Sequence, residues 1–274
     1  MKVIVTGAKG MLGTDLVHAL SKTDFEVIAF DYSDLDITNK TDMKKIIMKE
    51  PNVVINCAAY TNVDLAENEK EKCALINIEG LKNLTLACKE CNSILIHIST
   101  DYVFDGTKES YDETDMKNPI NYYGETKSKG EDFIISNIEN YYIVRTSWLF
   151  GKNGKNFVDT ITKLAKEKQE LKVVDDQIGK PTFTKDLSQA LIQLISTKMP
   201  FGIYHITNSG ICSWFEFAKK IVELNKSNCI VKPCTTLDFP RPAKRPKFSV
   251  LNNSKFNLLR SWESALSEYL GELK

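Results

Sequence analysis

The first half of the chain alternates short apolar runs with segments in which apolar residues recur at helical spacing. The apolar runs are rich in β-branched residues and predict buried strands at Lys2–Thr6, Phe25–Phe30, Val53–Asn56, Ser93–Ser99 and Tyr141–Ser147. The helical spacing predicts helices at Met11–Leu20 and Asp42–Lys49, within Asp64–Glu90, and at Tyr122–Ile138. This alternation predicts a doubly wound, parallel α/β sheet.

The second half is less regular. Apolar spacing predicts helices at Asn156–Lys168, Asp186–Ser196, Ser213–Leu224 and Trp262–Leu270. Strands are predicted at Leu171–Val174 and Gly202–Thr207, and the Pro-rich, basic segment Pro233–Pro246 is predicted as a loop. Because neither a repeat nor a linker separates the halves, we expect two interleaved lobes. The larger comprises residues 1–150 plus about 181–207, and a smaller α/β lobe comprises about 151–180 plus 208–274.

Composition and charge narrow the class of protein. The 274 residues are 42% apolar and 26% charged, which is average for a globular chain and too apolar for a disordered one. The 36 basic residues are balanced by 36 acidic ones, so the chain lacks the basic excess of a nucleic-acid binder. No apolar stretch approaches about 18 residues, and the sequence begins without a secretion-signal pattern. We therefore expect a cytoplasmic protein that binds neither nucleic acid nor membrane.

The cysteines give no disulfide framework. They are an odd, scattered set of seven, which in a chain without a secretion signal indicates reduced thiols. Only Cys88 and Cys91 stand at metal-ligand spacing, and no second pair or suitably spaced histidine accompanies them. We interpret both as parts of a helix and assign no metal ligand.

A glycine-rich turn follows the first predicted strand and opens the first helix. Gly7, Gly10 and Gly13 are spaced by three residues. Glycines there let the backbone approach a pyrophosphate, and the helix N-terminus offers free N–H groups and a partial positive charge. Asp31 ends the second predicted strand, where its carboxylate can bind the adenosine ribose hydroxyls. The pattern predicts a Rossmann-like dinucleotide-binding domain in the larger lobe, which leaves the smaller lobe for a substrate.

The Gly-x-x-Gly-x-x-Gly spacing resembles the extended branch of the short-chain dehydrogenase/reductase superfamily, and so do the segments Asp34–Thr38 and Asn56–Thr61. The resemblance implies NADH or NADPH as cofactor. The cofactor contacts that it implies are Gly7, Gly10, Met11, Leu12, Gly13, Asp31, Asp36, Ile37, Ala58, Ala59, Tyr60 and Thr61. Asp31 would repel a 2′-phosphate and so favours NADH. The lysines that could assist such a phosphate are Lys2, Lys9 and Lys40.

Tyr123 and Lys127 form a Tyr-x-x-x-Lys pair on a predicted helix. Residues i and i+4 share a helix face, so the phenol and the ammonium point the same way. A nearby cation favours phenolate and lowers the tyrosine pKa from about 10, which suits a general acid and base near neutral pH. Tyr122 is one residue out of register with Lys127. Thr100 ends the fourth strand region, where open α/β sheets bind ligands, and its hydroxyl can donate to a substrate carbonyl oxygen.

Longer segments narrow the resemblance to the dTDP-4-dehydrorhamnose reductase family. They are Ser99–Gly106, Tyr123–Lys127 with Gly130 and Glu131, Arg145–Gly151, Val173–Thr182 and Arg241–Pro246. The resemblance implies NAD(P)H-dependent reduction of the 4-keto group of dTDP-4-dehydro-L-rhamnose, a nucleotide sugar, to dTDP-L-rhamnose. The catalytic residues that it implies are Thr100, Tyr123 and Lys127, of which Tyr123 and Lys127 also bind cofactor. The substrate contacts that it implies are Thr100, Asp101, Trp148, Arg241 and Arg245.

Several alternatives stay open on the sequence alone. A related 4,6-dehydratase typically carries Asp-Glu after the threonine, whereas here Asp101 is followed by Tyr102, which argues against that reaction. A reductase of a related nucleotide 4-keto-6-deoxy sugar fits the same motifs. A regulatory subunit of the methionine adenosyltransferase type resembles this family too, although a binding module has no need of the three catalytic residues together. A homodimer is expected, and Mg²⁺, which some family members bind, has no assignable site in this sequence.

Overall fold

The computed structural model describes residues 1–273. Its strands are β1 (Lys2–Thr6), β2 (Glu26–Phe30), β3 (Val53–Asn56), β4 (Ile94–Thr100), β5 (Tyr141–Thr146), β6 (Leu149–Phe150), β7 (Glu170–Val174), β8 (Ile178–Gly179), β9 (Thr182–Phe183), β10 (Gly202–His205), β11 (Asn208–Ser209), β12 (Cys212–Ser213), β13 (Ile230–Cys234) and β14 (Leu259–Ser261). Its helices are α1 (Met11–Leu20), α2 (Met43–Ile47), α3 (Lys70–Ala74), α4 (Leu81–Glu90), α5 (Tyr122–Asn137), α6 (Phe157–Glu167), α7 (Thr184–Ser196), α8 (Trp214–Leu224) and α9 (Trp262–Glu272).

The main sheet is parallel, with the strand order β10-β5-β4-β3-β1-β2. The chain leaves β1 towards β2 on one side and returns to β3 on the other. The connections that follow β1 and β3 therefore run to opposite sides of the sheet, which leaves a crevice at the carboxyl ends of these two strands. Doubly wound sheets bind their ligands in such a crevice. The predicted doubly wound α/β fold is confirmed.

Both faces of this sheet are covered, as the continuous apolar strands require. Val3 and Val5 face a core that includes α1 and α7, whereas Ile4 faces the opposite core with α2, α4 and α5. Alternate residues of one strand thus serve opposite cores. β10 and α7 belong to this unit although they come late in the chain.

The smaller lobe has its own core, built from α6, α8, α9 and the parallel pair β7–β13. Phe217 and Tyr269 lie fully buried at its centre. Phe183, at the start of α7, packs in this second core, whereas Phe256 packs in the core of the main sheet. The chain therefore passes between the two cores more than once.

The helical region predicted within Asp64–Glu90 is interrupted. A 3₁₀ turn at Leu65–Glu67 precedes α3, and a π-helical stretch at Leu75–Gly80 joins α3 to α4. The buried Asn77 lies in this stretch and holds both backbone groups of Tyr60, because its Oδ1 accepts from Tyr60 N at 2.9 Å and its Nδ2 donates to Tyr60 O at 3.1 Å. A π-bulge of this kind often marks a functional site.

The prediction that Pro233–Pro246 is a loop throughout is wrong at its start. β13 extends to Cys234 beside β7, and a 3₁₀ turn follows at Thr236–Asp238. Pro233 is tolerated because β13 is an edge strand, where a missing N–H costs no hydrogen bond in the sheet. The two- and three-residue strands were not predicted, since such short pairings leave no periodic pattern.

Cys88 is buried in α4, and the Cys91 thiol donates to Ala87 O at 3.1 Å. Within residues 1–273 no group of three or more His, Cys, Asp or Glu residues is placed to hold a metal ion. No helix in this part of the chain is long and apolar enough to span a bilayer.

Candidate active site

The glycine-rich turn lies at the carboxyl end of β1, between the ends of β2 and β3. Ala8 N donates to Phe30 O at 3.0 Å, and Cys57 N donates to Thr6 O at 3.1 Å. Gly7 has a φ of +66°, and a Cβ at this position would lie 2.7 Å from the backbone nitrogen of Ala58. Both the conformation and the close approach therefore require glycine at position 7.

Helix α1 begins directly after this turn. No side chain of the described residues caps its N-terminus at Gly10, and a Cβ at Gly13 would fall well inside van der Waals distance of Gly7 O. The first N–H groups of a helix lack partners within it and carry a partial positive charge, which suits a pyrophosphate. Leu12 packs in the sheet core, so only its backbone can face a ligand. The turn and the helix N-terminus thus fit a dinucleotide.

Asp31 stands at the same edge of the sheet, directly after β2. Its Oδ2 lies 3.8 Å from Lys9 Nζ. The expectation that Lys2 could assist a 2′-phosphate is wrong, because Lys2 pairs with Glu26 at the amino end of β1, on the opposite edge of the sheet. Lys9 is thus the cation beside the predicted ribose site.

The side chains of Asp36 and Ile37 are already engaged within the protein. Asp36 Oδ1 accepts from the N–H and the hydroxyl of Thr38 at 2.9 and 2.8 Å. Ile37 is buried in the core on the α4 side, against Gly80. The structure therefore places one residue in a local turn and the other in the core.

The segment after β3 runs along the glycine-rich turn. Ala58 lies against Gly7, so its small side chain lets the two turns touch. Tyr60 turns away towards α3, where its hydroxyl donates to Glu69 Oε2 at 3.0 Å. Thr61 is exposed. Of this segment, Ala58 is the residue most directly at the dinucleotide turn.

Helix α5 presents Tyr123 and Lys127 to the end of β4. Asn121 caps the helix, because its Oδ1 accepts from Gly124 N at 2.8 Å. A Cβ at Gly124 would collide with Tyr102 O, so glycine lets α5 lie directly on the turn after β4. Tyr123 and Lys127 are 9% and 1% exposed, which puts both side chains on the buried face of the helix.

The expected lowering of the Tyr123 pKa is not found. Burial raises the pKa of the Tyr123 phenol, the Asp101 carboxylate adds to the rise, and a hydrogen bond between Tyr123 and Thr100 opposes it. Lys127 is not among the groups that shift this pKa, and its Nζ donates to Ile98 O at 2.6 Å. Tyr123 is therefore a neutral phenol at neutral pH, the form that can donate a proton.

Thr100 and Asp101 follow β4 as a linked pair. The Thr100 hydroxyl donates to Asp101 Oδ1 at 2.9 Å and accepts from Tyr102 N at 3.1 Å, so it also caps the 3₁₀ turn at Asp101–Val103. Asp101 Oδ2 is buried without a hydrogen-bond partner among the described residues. Burial raises the pKa of Asp101 to about 6. An unpaired polar oxygen of this kind is suited to a ligand hydroxyl.

Lys127 contacts His97, which in turn contacts Asn56, and sequence reasoning missed this network. Its Nζ lies 3.0 Å from Nε2 of His97 on β4, and His97 Nδ1 lies 3.1 Å from Asn56 Nδ2 at the end of β3. A single polar residue inside an apolar strand reads as an ordinary core position, so the sequence carried no signal for this network. The parallel register joins the two strands here, since Asn56 pairs with His97.

A buried ion pair fixes the other end of the same helix segment. Arg145 on β5 contacts Glu131 on α5, with Nη2 and Oε2 2.7 Å apart, and both side chains are almost fully buried. Ser99 donates to Glu131 Oε1 at 2.5 Å, and Lys117 lies 3.3 Å from Oε2. Burial alone would raise the pKa of Glu131, but Arg145, Lys117 and Ser99 together hold it below its ordinary value. Lys127, one turn away, is thereby held in a fixed position.

Trp148 lies where the main sheet meets the smaller lobe. Its indole stacks on Trp214, with ring centroids 3.6 Å apart and planes 9° apart, and its edge meets Gly179. The φ of Trp148 is +48°, an uncommon conformation for a bulky residue. It stands two residues beyond Thr146, which pairs with Thr100. One indole face is covered by Trp214, a partner that only the fold reveals.

The basic loop after β13 reaches the same region. Arg245 Nη2 lies 3.0 Å from Asp64 Oδ1, and Arg241 Nη1 lies 3.9 Å from Asp64 Oδ2. Lys244 O accepts from Asn121, the residue that caps α5. The structure therefore brings both predicted arginines to Asp64, in the segment after β3, and the backbone of Lys244 to the cap of α5.

These features define the class of protein. A parallel, doubly wound sheet with a glycine-rich dinucleotide turn, and a buried tyrosine and lysine at the end of β4, is the Rossmann-like arrangement of a nicotinamide-dependent oxidoreductase.

The family described as RmlD substrate binding domain matches residues 1–274, and the chain belongs to this family. A dTDP-4-dehydrorhamnose reductase of Aggregatibacter actinomycetemcomitans is 41% identical over 284 residues, covering 97% of each chain. A solved dTDP-4-dehydrorhamnose reductase of Clostridium acetobutylicum is 46% identical with a TM-score of 0.96, covering 100% of this chain and 99% of the other. The enzyme of the same name from Bacillus anthracis, solved in complex with NADP, is 42% identical with a TM-score of 0.95, covering 99% of both chains.

Proposed function

We propose that the chain is an NAD(P)H-dependent reductase of the 4-keto group of dTDP-4-dehydro-L-rhamnose, with dTDP-L-rhamnose as product. Similarity to reductases of that name over nearly the whole chain supports this assignment. The observation that carries it is the meeting of Thr100, Tyr123 and Lys127 at the end of β4, two strands from the glycine-rich turn.

The residues present fit a nicotinamide dinucleotide. The turn at Gly7 and the N–H groups that open α1 would hold the pyrophosphate, and Asp31 the adenosine ribose. When bound, the reduced nicotinamide supplies hydride to the sugar carbonyl carbon. Lys127, at the end of β4, would hold the nicotinamide ribose. The cofactor is NADH or NADPH.

The protein's own residues supply the proton. Reduction of a ketone places one proton on the oxygen for each hydride on the carbon. The buried Tyr123 phenol donates that proton to the developing alkoxide. The Thr100 hydroxyl turns from Asp101 to the carbonyl oxygen and stabilises its negative charge.

The substrate groups outside the reacting carbon have partners nearby. Asp101 Oδ2 would accept from a sugar hydroxyl, and Trp148 would pack against the sugar. Arg241 and Arg245 would meet the diphosphate, which competes with Asp64 for their guanidinium groups. Tyr102 packs edge-on against Tyr123 with centroids 6.1 Å apart, so an aromatic ring stands where a dehydratase would need a second acid.

The proposal also includes four sequence predictions about assembly, location, partners and domain division. They are a homodimer, a cytoplasmic location, no nucleic acid or membrane partner, and the division into residues 1–150 plus about 181–207 and about 151–180 plus 208–274. β10 and α7 in the main sheet unit support the interleaved division.

The test is a coupled assay with purified protein. dTDP-4-keto-6-deoxy-D-glucose is supplied with and without the 3,5-epimerase that precedes this step, and the absorbance of NADH and of NADPH is followed. We expect oxidation only when the epimerase is present, with dTDP-L-rhamnose as product.

Two other results would contradict the proposal. Oxidation without epimerase would assign a D-configured 4-keto sugar as substrate. Tight cofactor binding without oxidation in either case would instead indicate a regulatory subunit.

A further inference from the structure

Lys127 ends a chain of buried polar groups that begins at the dinucleotide turn. Ala58 N donates to Asn56 Oδ1 at 3.1 Å, and Asn56 Nδ2 lies 3.1 Å from His97 Nδ1. His97 Nε2 lies 3.0 Å from Lys127 Nζ. Asn56, His97 and Lys127 are 1%, 2% and 1% exposed, so each donor must find its acceptor within the protein.

The hydrogen-bond donors around Asn56 determine the tautomer of His97. The backbone N–H of Ala58 can only donate, and the Thr6 hydroxyl adds a second bond to the same Asn56 oxygen at 2.7 Å. The side-chain amide of Asn56 is thereby oriented, and its Nδ2 faces the ring. His97 Nδ1 must then accept, which in a neutral imidazole leaves the proton on Nε2.

The position of the His97 proton decides which protonation state of Lys127 fits the network. An ammonium group has three donors and no lone pair. If Lys127 were charged, its N–H groups and the Nε2–H of His97 would face each other with no acceptor between them. A neutral amine accepts from Nε2–H and still donates to Ile98 O at 2.6 Å. If the direction of every hydrogen bond in this network were reversed, the Asn56 amide would flip. The N–H of Ala58 would then face the N–H donors of that amide. The network is therefore satisfied throughout only when Lys127 is an amine.

We propose that His97 is a positioning residue, oriented by Asn56, whose Nε2–H donates to the neutral amine of Lys127 and so stabilises the amine relative to the ammonium in the ligand-free protein. Its meaning for catalysis rests on the proposed function, in which Lys127 would hold the nicotinamide ribose beside Tyr123. The hydrogen-bond polarity itself does not depend on which substrate is reduced.

Burial of Lys127 acts in the same direction, and the neighbouring acidic groups oppose it only weakly. Burial lowers the pKa of Lys127 to about 8. On its own helix, Glu131 favours the charged form, but Arg145 already pairs with that carboxylate. The thiols of Cys73 on α3 and Cys57 after β3 have pKa values raised by burial, so both are neutral at neutral pH. On β4, burial lowers the pKa of His97 well below its ordinary value, so its ring is uncharged.

His205 provides an internal control with the opposite tautomer. Its Nε2 lies 3.3 Å from Arg145 Nη1, which can only donate, and its Nδ1 lies 3.2 Å from Tyr111 O, which can only accept. The proton of a neutral His205 therefore stands on Nδ1. The chain has three histidines, so each ring can be assigned.

The test is long-range ¹H–¹⁵N correlation of histidine rings in ¹⁵N-histidine-labelled, ligand-free protein at pH 9, where Lys127 is mainly the amine, with His97 assigned by its loss in His97→Gln. We expect an unprotonated Nδ1 and a protonated Nε2 for His97, and the reverse for His205. A protonated Nδ1 on His97, in either the neutral ring or the imidazolium, would overturn the proposal.

A second measurement uses a variant that reverses the direction of the hydrogen bonds made by His97. In Asn56→Asp, a carboxylate accepts from Ala58 N–H and from His97 Nδ1–H, so Nε2 becomes an acceptor and favours the ammonium form of Lys127. The ¹³Cε resonance of Lys127, assigned with Lys127→Met, should titrate below the ordinary lysine range in the wild type. Its midpoint should rise by about one pH unit or more in Asn56→Asp.

An unchanged Lys127 midpoint in a folded Asn56→Asp protein with a reversed His97 tautomer would also contradict the proposal. If Asn56→Asp does not fold, the wild-type tautomer decides the question alone. Both measurements use ligand-free protein, so a failure here is separate from a failure of the reductase assay.

Discussion

A Cβ atom on Gly7 would lie 2.7 Å from the backbone nitrogen of Ala58, so the turns after β1 and β3 meet backbone to backbone. This contact shapes the crevice in which the dinucleotide is proposed to bind. The φ of +66° at Gly7 adds a conformational demand that alanine meets only at a cost of about 1–2 kcal/mol.

We therefore expect Gly7→Ala to weaken NADH and NADPH binding at least about tenfold, the equivalent of about 1.4 kcal/mol. Fluorescence titration of each cofactor measures the change. Gly271→Ala is the matched control, because a Cβ there meets nothing within 4 Å, and it should bind as the wild type does. Equal affinity in the two variants would contradict the position of the dinucleotide turn.

Tyr123→Phe should lower kcat at least about 100-fold, because the general acid is removed. Cofactor affinity should stay within a factor of about two, since the ring remains in place. Tyr122→Phe removes the neighbouring hydroxyl, which is out of register with Lys127, and should retain activity. Steady-state kinetics of both variants gives the comparison. If Tyr123→Phe keeps full turnover, another group supplies the proton.

Glu131→Gln should destabilise the protein by about 3–5 kcal/mol, because Arg145 would be left as a buried and uncompensated charge. Asp132→Asn is the control, since Asp132 is largely exposed and its ion pair with Lys117 lies at the surface. That variant should lose less than about 1 kcal/mol. Urea unfolding measures both, and similar losses would show that the buried pair does not fix α5.

Asp101→Asn should change how stability depends on pH. The pKa of Asp101 is raised to about 6 in the folded protein from an ordinary value of 3.8. The folded state therefore binds the proton more tightly than the unfolded state, and wild-type stability falls as pH rises through this window.

Relative to the wild type, Asp101→Asn should gain up to about 3 kcal/mol between pH 4 and pH 6, and no further at higher pH. Urea unfolding at a series of pH values tests the difference. A pH-independent difference between the two proteins would mean that Asp101 is not a desolvated carboxyl group.

Local sequence signals predicted the parts of the site that form along one element. The strand, turn and helix around Gly7 could be predicted because spacing and conformation decide them locally. Tyr123 and Lys127 could be paired because helical geometry puts positions one turn apart on the same face. Their burial comes from Gly124, whose close approach to Tyr102 no periodicity reveals.

Contacts between distant segments could not be predicted. His97 and Asn56 meet because β3 and β4 are neighbours in register, and Trp148 meets Trp214 across the two lobes. The lowering of the Tyr123 pKa was predicted from the proximity of a cation alone. Burial, which only the packed structure supplies, gives that shift the opposite sign.

The most direct test of the central claim follows the transferred hydrogen. The epimerase-coupled reaction is run with NADPH or NADH carrying deuterium on the transferring face of nicotinamide C4, and the product is analysed by NMR. We expect dTDP-L-rhamnose with deuterium at sugar C4. Deuterium at another carbon, or a product with a different sugar configuration, would contradict it.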